Sequence, residues 1–367
     1  MDNLAHSLVG ASLAEAGLKR KTALATSTLV IGANLPDIDA LISFAGSDAA
    51  LYFRRGITHG VLAWIVLPAA LAAVMLAWDR YVRRRRDPDA EPARAGAIVA
   101  LAYLGVLTHP FLDWLNTYGV RLLSPFDGRW FYGDALFIVD PWLWLLCGSS
   151  VVLARSSRPM SAAAWIIVGA GATALVLGYA PVPWAAKIAW LVGVGAIALL
   201  RVTGRLDAER TRRLAVVTVA VAGLYVAAMI ASAAYTASLA RDAFLARGVE
   251  VRDVIASPHP GNPLARQGVV AAEDEYRFFR ASLLSSSPIV EVREPVPIEP
   301  PDDIVAAALS APEVRGFRNW MRFPSWEVRR LPDGYLVLVR DLRFVSPDTE
   351  RGFGVARVEL DDDLRPR

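Results

Sequence analysis

Up to about residue 235 the chain alternates long runs of Ala, Val, Leu, Ile and Trp with short arginine-rich connectors, and from Ala237 onward it reads as an ordinary soluble sequence. A helix that crosses a bilayer needs about 20 mainly apolar residues. Five segments meet or approach that length, at 60–82, 96–115, 135–153, 161–180 and 214–235, and a shorter one at 185–200 is bounded by Pro183 and Arg201. Two N-terminal segments, 4–18 and 22–35, are too short and too polar to face lipid; they predict a hairpin of half-buried helices with Lys19-Arg20-Lys21 at its tip. In the tail, Leu239, Ala243 and Leu245 continue a helix through 236–248. Alternating stretches at 269–271, 289–292, 326–329, 335–339 and 355–360 then predict short antiparallel strands. Leu331-Pro332-Asp333-Gly334 reads as a hairpin turn, and 295–301, with four prolines, as a stiff connector. The fold class expected is mainly α: a polytopic helical membrane bundle, 1–235, followed by a small C-terminal α+β, mostly antiparallel β, soluble domain, 236–367.

Composition sharpens this picture. The chain is 54% hydrophobic and 20% charged, and the uneven spread of apolar residues overrides the two globular domains that 367 residues suggest. The net charge of +3 needs no nucleic-acid partner, since the arginines sit where membrane topology places them. The basic connectors are 19–21, 83–86, Arg155 with Arg158, and 201–213. Arginine bias marks cytoplasmic loops. Placing all four there requires an even number of crossings between each pair, which the segments supply, and puts the N-terminus and the C-terminal domain outside. The alternative for 83–86 is a solvated helix end. Residues 1–17 carry Asp2, His6 and Glu15 without a basic start, so no cleavable leader is expected. Cys147, the only cysteine, lies in an apolar run and forms no intrachain disulfide.

Ionisable groups in the apolar region are where chemistry is to be sought, because each costs on the order of 2.5–3.5 kcal/mol in a span unless paired or functional. They fall in four places: His6; Asn34-Leu35-Pro36-Asp37-Ile38-Asp39; Arg54-Arg55-Gly56-Ile57-Thr58-His59; and Thr108-His109-Pro110-Phe111-Leu112-Asp113-Trp114-Leu115-Asn116. His109 and Asp113, four apart, share one helix face. The arginine-derived topology brings His6, Asp37, Asp39, His59, His109 and Asp113 to one depth near the outer surface, with Asp140 one to two turns into the next span. Imidazole with carboxylate suits zinc, manganese or iron(II). Arg54 and Arg55 are candidates to hold a phosphate and equally candidates for interface anchors. Asp37 and Asp39 also suit helix caps. Asn34, Asn116 and Asp140 divide between supporting hydrogen bonds or extra ligation and capping, and His259 reads as a loop residue.

Met1-Asp2-Asn3-Leu4-Ala5-His6-Ser7-Leu8-Val9-Gly10, with the motifs around Asp37, His59 and His109, resembles the LexA-regulated, membrane-bound predicted metal-dependent hydrolases over about 235 residues. The order His, Asp, His, His-x-x-x-Asp is also distantly similar to the zinc-dependent phospholipase C and single-strand nuclease superfamily. That similarity implies His6, Asp39, His59, His109 and Asp113 as metal ligands, with Asp37 a ligand or general base. The soluble enzymes use further histidines and a Glu, whereas no histidine follows Asp113 here until His259. The resemblance therefore implies one or two divalent ions, zinc first, rather than three.

The function expected is a metal-dependent hydrolase of the inner membrane acting on a phosphoester or related bond of a lipid or lipid-linked substrate at the outer leaflet. The rivals are a non-catalytic membrane scaffold with a structural polar cluster and a partner-binding outer domain, and a metal or proton transporter.

Overall fold

The computed structural model describes residues 1–204 and 207–367; Arg205, in the last basic connector, lies outside the described residues. The chain is mainly helical with antiparallel sheets near its C-terminus, the fold class its sequence predicts. It divides into two compact units. The first holds Met1–Ile38, Arg55–Ala231 and Pro258–Pro263, and the second Asp39–Arg54, Ser232–Ser257 and Leu264–Arg367.

Helices follow in order as α1 (Asn3–Glu15), α2 (Ala25–Gly32), a 3-10 segment (Leu35–Ala45), α3 (Ser47–Phe53), α4 (Ala63–Trp78) with a π turn (Asp79–Arg83) running into α5 (Arg84–Arg86), and α6 (Ala95–Trp114). Then come α7 (Pro141–Arg155), α8 (Pro159–Gly178), α9 (Trp184–Thr203) and α10 (Ala208–Leu245). Five of the described helices are long and apolar enough to cross a membrane, and α2 with the 3-10 segment, bent by 40°, is a candidate sixth. α7 is shorter than the 135–153 span expected from hydropathy. Pro141 sits in its first turn, where the missing N–H costs nothing, and Asp140 becomes its N-cap, accepting from Leu143 N at 2.9 Å.

In the first unit, α1, α2 and α6 approach backbone to backbone. A Cβ at Gly10 would stand 2.8 Å from Leu29 O, and one at Gly105 2.9 Å from the same oxygen. Only glycine allows that approach, and it brings His6, the end of α2 and His109 together. Around them Leu8, Leu112, Leu115, Leu136 and Trp144 form the apolar core of this unit. At the far end of α4 the buried Asp79 ties Arg83, Arg84 and the Ala93 N–H, a carboxylate serving its own basic connector.

The second unit has a five-stranded sheet, β1 (Asp253–His259), β2 (Asn262–Ala271), β3 (Glu275–Ser282) and β4 (Ile289–Glu291) in that order, with β5 (Val296–Pro297) also pairing β3. A three-stranded sheet follows the helices α11 (Asp303–Ser310) and α12 (Arg315–Trp320), in the order β6 (Pro324–Leu331), β7 (Gly334–Asp341), β8 (Val355–Asp361). Leu331 pairs with Gly334, so Pro332 and Asp333 form the two-residue turn that the sequence predicts. β3 escapes hydropathy because both its faces are covered: Tyr276 and Phe278 pack in one cluster, Phe279 and Ala281 in another with α10. α3 packs on α12, where Asp48 accepts from Phe317 N at 3.0 Å and Arg315 donates to the Tyr52 hydroxyl at 2.6 Å.

Candidate metal centre

The site is assembled from four short stretches of the first unit. α1 carries His6; the 3-10 segment after α2 carries Asp37; the turn before α4 carries Arg55 and His59; and the last turns of α6 carry His109 and Asp113. One ligand atom from each of Asp37, His59, His109 and Asp113 lies within 4.8 Å of all the others, and this set can hold a metal ion. His59 Nε2 is 3.3 Å and His109 Nε2 3.6 Å from Asp113 Oδ2, while Asp37 Oδ1 is 3.6 Å from His109 Nε2 and 4.0 Å from His59 Nε2. Nitrogen and oxygen ligands about 2.0–2.2 Å from a tetrahedral ion stand about 3.3–3.6 Å apart, so the cluster is close to the size such an ion requires. The three imidazoles are 0% exposed, Asp113 1% and Asp37 8%.

His6 stacks on His109 at 3.8 Å between ring centroids, with Nε2 3.4 Å from Asp113 Oδ1. Among the described residues neither ring nitrogen of His6 nor Nε2 of His109 has a hydrogen-bond partner. Buried polar atoms are nearly always satisfied, so these nitrogens mark a place where the protein's own groups do not complete the site. Outer contacts fix the ligands. The other nitrogen of His109 donates to Ala33 O at 2.7 Å, which leaves the lone pair on Nε2, facing the cluster. His59 Nδ1 meets Thr58 Oγ1 at 2.9 Å, and Asp37 accepts from Asn3 Nδ2 at 2.9 Å.

Arg55 is buried beside Asp113, its Nε 2.9 Å from Oδ2 and Nη2 3.0 Å from Oδ1. Its third nitrogen donates to Asn116 Oδ1 at 2.9 Å and Gly119 O at 3.2 Å, and its guanidinium lies 4.5 Å over the Tyr118 ring. A backbone φ of 54° places Arg55 in the left-handed region, a cost of about 1–2 kcal/mol for a residue with a Cβ. The Met1 amine also pairs with Asp113 Oδ1.

Of the residues singled out by sequence, Asp37, His59, His109 and Asp113 are the set brought together, with His6 and Arg55 against Asp113. Asp39 is outside that set; it lies in the second unit, 3.7 Å from Arg54. Asn34 donates to Ser7 Oγ at 3.0 Å and to Val30 O, joining α1 to α2. Asn116 orients Arg55. Asp140 is not inside a span but at the start of α7, where it also accepts from the Tyr225 hydroxyl at 2.8 Å, and it takes no part in the cluster. His259 ends β1. Sequence reasoning missed Asn3, whose signal was its place in the opening motif, and Ala33, whose backbone carbonyl has no signal in residue type.

Fold and site define a multi-pass membrane protein with a buried His/Asp cluster able to hold a metal ion. Residues 1–185 match the family described as YdjM inner membrane protein, and the chain belongs to that family. It is also similar to the uncharacterized protein YfhP of Bacillus subtilis (strain 168), 24% identical over 114 residues, which are 31% of this chain and 32% of that protein. The chain thus spans about a third of the length of this curated relative. No solved structure matches.

Proposed function

We propose that the chain is a membrane-bound metal-dependent hydrolase that cleaves a phosphoester or related bond of a lipid or lipid-linked substrate at the outer leaflet. The observation that carries this reading is the cluster itself: one ligand atom from each of Asp37, His59, His109 and Asp113 within 4.8 Å of all the others, beside His109 Nε2 and His6 ring nitrogens that have no hydrogen-bond partner among the described residues. Zinc suits this donor set, as one or two ions, with His6 the natural further ligand. Such an ion supplies Lewis acidity and lowers the pKa of water coordinated to it.

The chain's own residues do the remaining work. Ala33 O and Thr58 hold the two imidazoles in orientation. Asp37, the most exposed of the four, takes and returns the proton while Asn3 keeps its carboxylate in place. Arg55 fixes Asp113, and Asn116 fixes Arg55. Arg54 or Arg55 is the group to orient a phosphate anion. Asp39, 3.7 Å from Arg54, is a further metal ligand by the resemblance alone. The proposal includes a membrane-embedded domain over 1–235, an extracytoplasmic domain over 236–367, distant kinship with the zinc-dependent phospholipase C superfamily, and control by a LexA-type repressor.

The test is hydrolysis of phospholipid vesicles and of a soluble phosphodiester by purified, zinc-loaded full-length protein. Activity should fall by about 10²–10⁴-fold in Asp37→Asn and be lost in His59→Ala; wild-type turnover in His59→Ala defeats the reading. One observation favours a second reading, a non-catalytic scaffold: Arg55 already neutralises Asp113. A scaffold loses folding when His59 or His109 is replaced, whereas an enzyme loses metal and turnover and keeps its fold.

A further inference from the structure

The first unit contains a second feature, apart from the metal centre. Between α7, α8 and α9 runs a cavity of about 730 Å³, walled by Leu8, Trp144, Trp165, Gly169, Ala172 and Trp190 among others. Its walls are apolar apart from Thr173, whose hydroxyl is bonded to the Trp190 indole, and from Ser156 and Arg201 at one end. Along α9 the lining runs from Trp190 to Arg201, about 16 Å at a helical rise of about 1.5 Å per residue.

We infer that this groove binds one acyl chain of an anionic phospholipid whose phosphate is held by Arg201. Ile166 and Val202 in its lining are exposed, so the groove opens to the protein surface, and its apolar walls offer water few partners. A continuous apolar groove about 16 Å long that ends on a guanidinium suits a hydrocarbon chain carrying an anionic head group. Charge identifies the head group. Arg201 donates from Nε to Ser156 Oγ and from Nη2 to Ser156 O, both at 2.8 Å, and among the described residues it makes no ion pair and its Nη1 no hydrogen bond. Other connector arginines do have carboxylates: Arg212 and Arg213 pair with Glu209, Arg155 with Glu15, and Arg83 and Arg84 with Asp79. A guanidinium without one, at the arginine-rich end of an apolar groove, is the complement of a lipid phosphate.

Gly169 keeps the groove open; nothing lies within 4 Å of where a Cβ would stand. α1 is the wall between the two sites, with Leu4 and Leu8 lining the groove while His6 lies against Asp113 of the metal cluster. Lipid retention in the groove is therefore independent of the hydrolase reading.

The experiment reconstitutes full-length protein in nanodiscs of equal phosphatidylglycerol and phosphatidylethanolamine, repurifies it in mild detergent, and counts retained lipid by native mass spectrometry. Wild type should keep one phospholipid per chain, phosphatidylglycerol favoured about fivefold, the preference one arginine confers at a membrane surface. Arg201→Gln should keep lipid without head-group preference, and Gly169→Phe should keep none. A wild type that retains no lipid, an unchanged preference in Arg201→Gln, or unchanged lipid in Gly169→Phe overturns the inference, as does a wild-type dimer in which the groove is covered by a second copy.

Discussion

Each unit buries charge, and the two do so differently. In the second unit Asp341 and Arg343 are both 0% exposed and completely partnered. The Asp341 carboxylate accepts from Arg322 N, Arg343 N, and the Nε and Nη2 of Arg343, while Nη2 also donates to Trp320 O and the guanidinium lies 4.5 Å over the Trp320 ring. In the first unit three imidazoles crowd two carboxylates, and among the described residues both ring nitrogens of His6 and Nε2 of His109 have no hydrogen-bond partner. Buried charge alone is therefore a poor sign of function. Buried lone pairs that converge on one point without donors are a better one, because each left so costs about 1–3 kcal/mol unless something outside the chain completes it.

Substitutions can break that comparison in order of size. Asp341→Ala strands Arg343 and should cost about 3–5 kcal/mol, read as a lower melting temperature of the second unit with metal content unchanged. His109→Ala should do the reverse. Metal affinity falls by more than about 100-fold, beyond what an outer-sphere change costs, while circular dichroism of the metal-free protein stays as in wild type. Asn3→Ala, which removes the donor to Asp37, should weaken metal binding by about 10–100-fold by calorimetry. The smallest effect concerns acid stability. Hydrogen bonds from Arg329 and Arg340 hold the Glu327 carboxyl below its ordinary 4.5. The unfolded chain binds that proton first, so the contribution of Glu327 is full above about pH 4.5 and is lost as pH falls through the lowered value. Melting curves from pH 7 to pH 3 should show an acid limb that is shallower in Glu327→Gln.

The spans were legible because a bilayer imposes one demand on every residue of a crossing helix, and the His109/Asp113 pair because four residues are one helical turn. Other features depend on partners far along the chain. Nothing local marks residues 39–54 as belonging with the second unit; Asp48 finds Phe317 only when the chain is folded. The pairing of Arg55 with Asp113 was not legible because it crosses 58 positions. Asp140 looked like a polar intrusion into a span, although Pro141 beside it was the sign of a helix start. In β3, Phe278 and Phe279 face opposite ways into two apolar clusters, which erases the alternation that reveals a half-buried strand.

The central claim is that a divalent ion sits among Asp37, His59, His109 and Asp113. X-ray absorption at the zinc edge on zinc-loaded full-length protein tests it most directly. The account predicts nitrogen and oxygen ligands alone, at about 2.0–2.2 Å, with the outer-shell scattering of at least two imidazoles, and loss of the bound zinc in the His59→Ala/His109→Ala double variant. A sulfur ligand, which points to Cys147, or an unchanged spectrum in the double variant contradicts it.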